Sequence, residues 1–200
     1  MKHQWNKNRT RPVGKPGVLF VTAFIAIFFT GCVVSLNPLY QEEDLITDSR
    51  LDGKWLNIGE EEETWHFLPD KEKSYRLLHT EDTNRAEFKV HLLKLNGNFF
   101  IDLYPTSLSI ENSLYDMHFV RVHSFFRLDF REDYLALYMF DIDWMKNVQD
   151  SAKFKLDIQM KEKDYALITS DTDELQKFVK EFVNDTASFE DPILLKKIAP

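Results

Sequence analysis

The stretch AEFKVHLLKLNGNFFIDL, from Ala86 to Leu103, decides the fold. From Ala86 to Leu92 every second residue is apolar, with Glu87, Lys89 and His91 between them, which is the alternation of a strand with one buried face. Asn96-Gly97 follows, the dipeptide best suited to the two positive-φ positions of a tight hairpin turn. The apolar pattern resumes at Phe99 and runs to Leu103. The spacing predicts an antiparallel hairpin.

The pattern recurs on both sides of this hairpin. Upstream, Lys54 to Ile58 is a short strand, Thr64 to Leu68 sets Trp65 and Phe67 on one face, and Ser74 to His79 pairs Tyr75 with Leu77. Downstream, strands are predicted at His118 to Val122, Phe126 to Phe130, Tyr134 to Phe140, Phe154 to Met160 and Tyr165 to Thr169. Asp141 or Asp143 can cap a short helix through Trp144, Met145 and Val148. The period then changes: Leu175, Phe178, Val179, Phe182 and Val183 form an apolar helical stripe, preceded by Asp171 with Glu174 or Ser170 with Asp173 as the capping pair. The tail from Phe189 to Pro200 has no assignable place. The expected fold is mainly β (α+β): an antiparallel up-and-down barrel or curled sheet of about eight strands, with a C-terminal amphipathic helix packed on it. A two-sheet sandwich satisfies the same alternation and competes with it.

The N-terminus reads differently. Lys2, Lys7, Arg9, Arg11 and Lys15 precede an apolar run from Val18 to Phe29 broken only by Thr22, the order of a secretory signal. From Val18 to Val34 the stretch is seventeen residues, the lower limit of the roughly 17–25 that span a bilayer, so a signal is favoured over a permanent helix. The run ends at Phe29-Thr30-Gly31-Cys32, which resembles a bacterial lipobox with phenylalanine where leucine is usual. That resemblance implies cleavage between Gly31 and Cys32 and acylation of the Cys32 thiol. Two or more acyl chains hold firmly, at about 0.8 kcal/mol per buried methylene. The expected organisation is a signal at 1–31, a lipidated cysteine with a tether at 32–50, partly packed through Leu39, Tyr40 and Leu45, and one β-rich domain at 51–200.

Removing the five basic residues of the signal leaves 20 Lys plus Arg against 33 Asp plus Glu, a net −13 over the 169 remaining residues. Such a surface disfavours nucleic acid and anionic lipid headgroups, so attachment falls to the acyl anchor. Cys32 is the only cysteine, which rules out a disulfide within the chain. Thirteen of the seventeen phenylalanines follow residue 32 and must build a large core or line a cavity.

Little in the sequence points to catalysis. His66, His79, His91, His118 and His123 lack a recognisable ligand spacing, and His91 falls on the charged face of its strand. The run Glu60 to Glu63 lacks the glycine and alternating oxygens of a calcium loop and reads as a solvated turn. No nucleophile elbow or phosphate loop is present. No metal, cofactor or enzyme activity is expected. Phe88, Phe99, Ile101, Phe126, Phe130 and Tyr138 are the candidate lining of a ligand cavity, or else the interdigitated members of a solid core.

Leu51-x-Gly53-x-Trp55 resembles the opening of a lipocalin-type barrel, in which glycine bends the chain and the indole closes the floor. The longer string Cys32-Val33-Val34-Ser35-Leu36-Asn37-Pro38-Leu39-Tyr40, with Asp44-Leu45 behind it, resembles a group of uncharacterised bacterial lipoproteins with a lipocalin-like body. The likeness extends to Phe99–Pro105, Asp143-Trp144 and Asp173–Gln176. It implies an envelope address, and Val33 in place of aspartate after the cysteine implies the periplasmic side of the outer membrane where the source has two membranes. The expected function is non-catalytic carriage of an apolar ligand or lipid in the barrel; the alternative is a structural or assembly role docking an envelope protein.

Overall fold

The computed structural model describes residues 32–60, 62–106, 114, 118–151, 154–161 and 165–198. The expected hairpin is β6 (Asn84–Leu95) with β7 (Asn98–Pro105), turned by Asn96 and Gly97 at φ of 47° and 84°. Positive φ at both central residues matches the twist of the flanking strands, which is why asparagine and glycine occupy them. On one side of the hairpin lie β5 (Ser74–Glu81), β4 (Glu63–Pro69) and β3 (Gly53–Asn57); on the other lie β8 (His123–Phe130) and β9 (Tyr134–Tyr138). Each is antiparallel to its neighbour.

The tail supplies the missing stave. β12 (Ile193–Lys197) pairs Leu195 with Leu135 of β9 on one edge and with Asn57 of β3 on the other. Eight antiparallel strands thus close into a barrel, which leaves none of them with a free edge. The sandwich alternative falls with that closure. Gly53 stands at φ +113°, a conformation side chains resist, and carries the chain into β3, where the Trp55 indole N–H donates to Leu51 O at 3.0 Å.

The remaining elements clad one side of the barrel. β2 (Leu45–Ile46) lies on β6 beyond the end of β5. β1 (Cys32–Ser35) joins β8 antiparallel and β11 (Tyr165–Ile168) parallel, and β11 pairs with β10 (Ile158–Lys161). Helices α1 (Ile142–Asp150) and α2 (Thr172–Phe182) cover this side. Of the alternatives for each cap, Asp141 rather than Asp143 accepts the Trp144 N–H at 2.7 Å, and Asp171 rather than Ser170 accepts that of Glu174 at 2.9 Å. Arg127 of β8 donates to Val183 O at 3.2 Å at the end of α2, its guanidinium lying between the Tyr138 and Phe189 rings.

Two cores result. The inner one fills the barrel with Leu51, Trp55, Trp65, Phe67, Leu77, Val90, Leu92, Ile101, Phe126, Leu128 and Leu195 among others. The outer one packs Leu93, Leu95, Phe100 and Phe125 on the barrel's outside against Leu175, Phe178 and Val179 of α2 and Met145 of α1. β6 from Val90 to Leu93 and β7 from Phe100 to Leu103 are therefore buried on both faces, while the first half of β6 stays exposed or half-buried.

Three expectations change. The strand read at Phe154 to Met160 shortens to β10 at Ile158–Lys161, and with β11 it forms a wing outside the barrel, so the sheet contains one parallel pair. His118 to Val122 belongs to no strand, although its residues alternate. Residues 32–50, read as a tether, are built into the body: β1 is a sheet strand and Val33, Leu39 and Leu45 belong to the outer core. The two strand changes have one cause: a period of two reports a half-buried extended chain and says nothing of which strand lies beside it. Residues 32–50 carry no sustained period, so the strands that flank β1 leave no mark in its own sequence.

Candidate functional site

The segment after Cys32 is held by a buried polar cluster on the outer wall of the barrel. Asp102, with no exposed surface, projects from β7 into the outer core. Its Oδ2 accepts the Leu39 N–H at 2.8 Å, and its Oδ1 lies 2.6 Å from His123 Nδ1. A buried carboxylate is stable only when its oxygens find donors, and here a backbone amide and an imidazole supply them. Tyr104 lies against the His123 ring at 4.6 Å and Tyr40 against His91 at 4.2 Å. Burial, reinforced by Lys89, holds the His91 imidazole below its ordinary value, although Asp102 and Glu42 pull the other way. Burial, with Asp102 and Glu42, raises the Tyr40 phenol.

Helix α2 fastens the same segment from its other side. Gln176 Nε2 donates to Leu39 O at 2.9 Å and to Asp44 Oδ2 at 2.6 Å, and Thr172 Oγ1 donates to Pro38 O at 2.8 Å. Asn37 Nδ2 donates to Ser170 O at 2.9 Å, and the Gln41 amide meets Asp173. Backbone groups left between Ser35 and Asp44 by the absence of a sheet partner are thus met by side chains.

Ser35 faces His123 in register across β1 and β8, so serine, imidazole and carboxylate share one buried face. The resemblance to a nucleophilic triad ends at access. Ser35 has no exposed surface and its Oγ accepts the Asn37 N–H at 3.2 Å, so a substrate carbonyl has no approach to it. The trio braces the fold.

A second polar cluster stands at one mouth of the barrel. Glu63 Oε1 accepts the Trp65 indole N–H at 2.5 Å and lies 3.0 Å from His79 Nε2, while Oε2 accepts from Asn57 Nδ2 at 2.7 Å. Burial pushes the Glu63 pKa upward, but the hydrogen bonds from His79, Trp65 and Asn57 outweigh it and hold the carboxyl below its ordinary 4.5. A carboxyl group met by three nitrogen groups therefore stands at this mouth.

Of the six residues read as a cavity lining, Ile101 and Phe126 are buried members of the inner core, and Phe88, Phe99 and Phe130 are half-buried at its margins. Phe99 and Phe130 meet edge to face at 5.2 Å beneath the Arg50 guanidinium, which lies 4.1 Å from the Phe130 ring. Tyr138 departs from the set: β9 turns Leu135 and Leu137 inward and Tyr138 outward onto Arg127. His91, read as surface, is buried, and His66 stays on the outside of β4. Glu63 is no free turn acid but part of the mouth cluster. Gly31 lies outside the described residues, and Cys32 is exposed. Asp102 was missed because it alternates with apolar neighbours like a solvent-facing residue; the run Phe99-Phe100-Ile101 was the signal that both faces of this strand are buried.

No family model matches the chain, and no curated protein or solved structure matches it.

Proposed function

We propose that this chain is a lipid-anchored lipoprotein of a bacterial cell envelope, held at the membrane by an acylated Cys32, without catalytic activity, and serving as a rigid body that docks an envelope protein. The observation that carries the reading is the setting of Cys32. It is exposed and opens the strand that joins the barrel wall, and the basic-then-apolar segment ending in Phe29-Thr30-Gly31 precedes it. With a net −13 beyond residue 31 from 20 basic and 33 acidic residues, the acyl anchor supplies the attachment that charge cannot. Val33 rather than aspartate after the cysteine supports an address on the periplasmic side of the outer membrane in a source with two membranes.

The docking role is supported by the inner core, whose large side chains from Trp55 to Leu195 interdigitate within the barrel. A second reading, carriage of a small apolar ligand or lipid in the barrel, is favoured by the half-buried Phe88, Phe99 and Phe130 at the core's margins. Two measurements test these. Full-length protein made in a bacterium fractionates with membranes, and Cys32→Ala is released; a variant that stays bound would overturn the anchor. Native mass spectrometry of the protein taken from envelopes gives the mass of the acylated chain with nothing further bound; a stoichiometric lipid adduct lost on denaturation, and retained in Cys32→Ala, would replace docking by carriage.

A further inference from the structure

Beside Cys32 lies an open apolar groove of about 700 Å³ on the outer face of the wing. Val34 and Leu36 of the N-terminal segment, Leu167, and Val120 with Val122 give it five aliphatic side chains, and Tyr165, Thr169, His118 and Gln159 complete the lining. Leu36 is 40% exposed and Val120 72%, whereas most other large apolar side chains among the described residues are buried. The strand geometry ties the groove to the cysteine. In β1, Val33 and Ser35 turn into the outer core, so Cys32, Val34 and Leu36 form a single outward row with a spacing of roughly 7 Å per pair of residues. Cys32 is the register partner of Tyr165, and Val34 that of Leu167. The thiol therefore stands at the end of the groove, on the face that lines it.

We infer that this groove holds an acyl chain of the protein's own anchor, laid from the Cys32 sulfur over Val34 and Leu167 toward Val120. The inference rests on the acylation of Cys32 proposed above and adds where the lipid lies. Its volume is within the roughly 300–1,000 Å³ of pockets that take small apolar ligands, and its walls are predominantly aliphatic. A chain tethered at the groove's end faces it at a high effective concentration, because Cys32 is the register partner of Tyr165 and lies two residues from Val34, both of which line it. Leu39, fixed by Asp102 and Gln176, leaves the cysteine no slack from the C-terminal side, so the domain sits against the membrane rather than swinging from a tether. An acyl chain lodged in the groove is withdrawn from the bilayer, leaving the remaining chain or chains as the hold on the membrane.

Site-specific photo-crosslinking tests this on the full chain in native membranes of a lipidating bacterium. p-Benzoylphenylalanine replaces Val120 in one variant and Leu167 in another; both positions face outward, and agreement between them guards against a local misfolding. The expected result is a mass-resolved crosslink from each position to the acyl chain on the Cys32 peptide, lost in the Cys32→Ala background. Capture of bulk phospholipid or of another protein, with acylated Cys32 present and unlinked, would overturn the groove assignment and leave the anchor standing. A Cys32 peptide without acyl mass would remove the anchor and the groove assignment together.

Discussion

Asp102 and Leu39 lie 63 residues apart, yet the Asp102 carboxylate accepts the Leu39 N–H at 2.8 Å inside the outer core. This contact converts the stretch after the cysteine from a leash into part of the domain. Leu39 is itself fully buried, and its carbonyl is taken by Gln176 of α2, so the barrel wall and the helix grip the same residue from two sides.

Asp102→Ala leaves the Leu39 N–H and His123 Nδ1 without their acceptor in a buried site. Each stranded group costs about 1–3 kcal/mol, so the variant is expected to lose about 3 kcal/mol in urea unfolding. Amide exchange over residues 36–45 should rise in parallel. An unchanged midpoint with unchanged protection at Leu39 would contradict the brace.

Stability should fall on acidification in two steps. His91, held by burial below its ordinary 6.5, binds fewer protons folded than unfolded as pH drops through that value, so its contribution is full above 6.5 and is lost as pH falls toward the lowered value. Glu63, held below 4.5, contributes fully above 4.5 and loses its contribution as pH falls through the folded value. His91→Gln should flatten the upper step of the stability–pH curve and Glu63→Gln the lower. A curve in which neither variant alters its step would refute the assignment.

Leu195 is fully buried in the strand that closes the barrel. Leu195→Ala is expected to cost about 2–5 kcal/mol through lost burial and the cavity left behind. A loss below 1 kcal/mol would mean that β12 packs less firmly than its pairing on both edges implies.

Gly53 carries a φ of +113°, and a β-carbon there would also meet Lys197 Cε at 3.4 Å. Gly53→Ala should therefore destabilise by about 1–3 kcal/mol, mainly through backbone strain. Equal thermal midpoints for wild type and variant would count against that strained entry into β3.

What could be read in the sequence was what local chemistry determines. Asn96-Gly97 specified the hairpin, and the capping aspartates with the Leu175–Val183 stripe the two helices, while the entry at Gly53 and Trp55 came from the resemblance to a lipocalin-type opening. What could not be read depends on distant partners. β12 is a short apolar run without a period, and it meets strands that begin at Gly53 and Tyr134. β1 reads as linker until β8 and β11 arrive on its two edges. His118 to Val122 alternates as a strand does, yet its valines line the external groove. Asp102 and His91 occupy polar positions in alternating strands, and only the second core makes those positions buried.

Acylation of Cys32 as the first residue of the mature protein is read most directly from the intact mass of full-length protein expressed in a bacterium and extracted from its membranes. The expected chain begins at Cys32 and carries the added mass of a diacylglycerol, with or without a further acyl group. A chain that retains residues 1–31, or one that begins elsewhere with an unmodified Cys32 thiol, would contradict it.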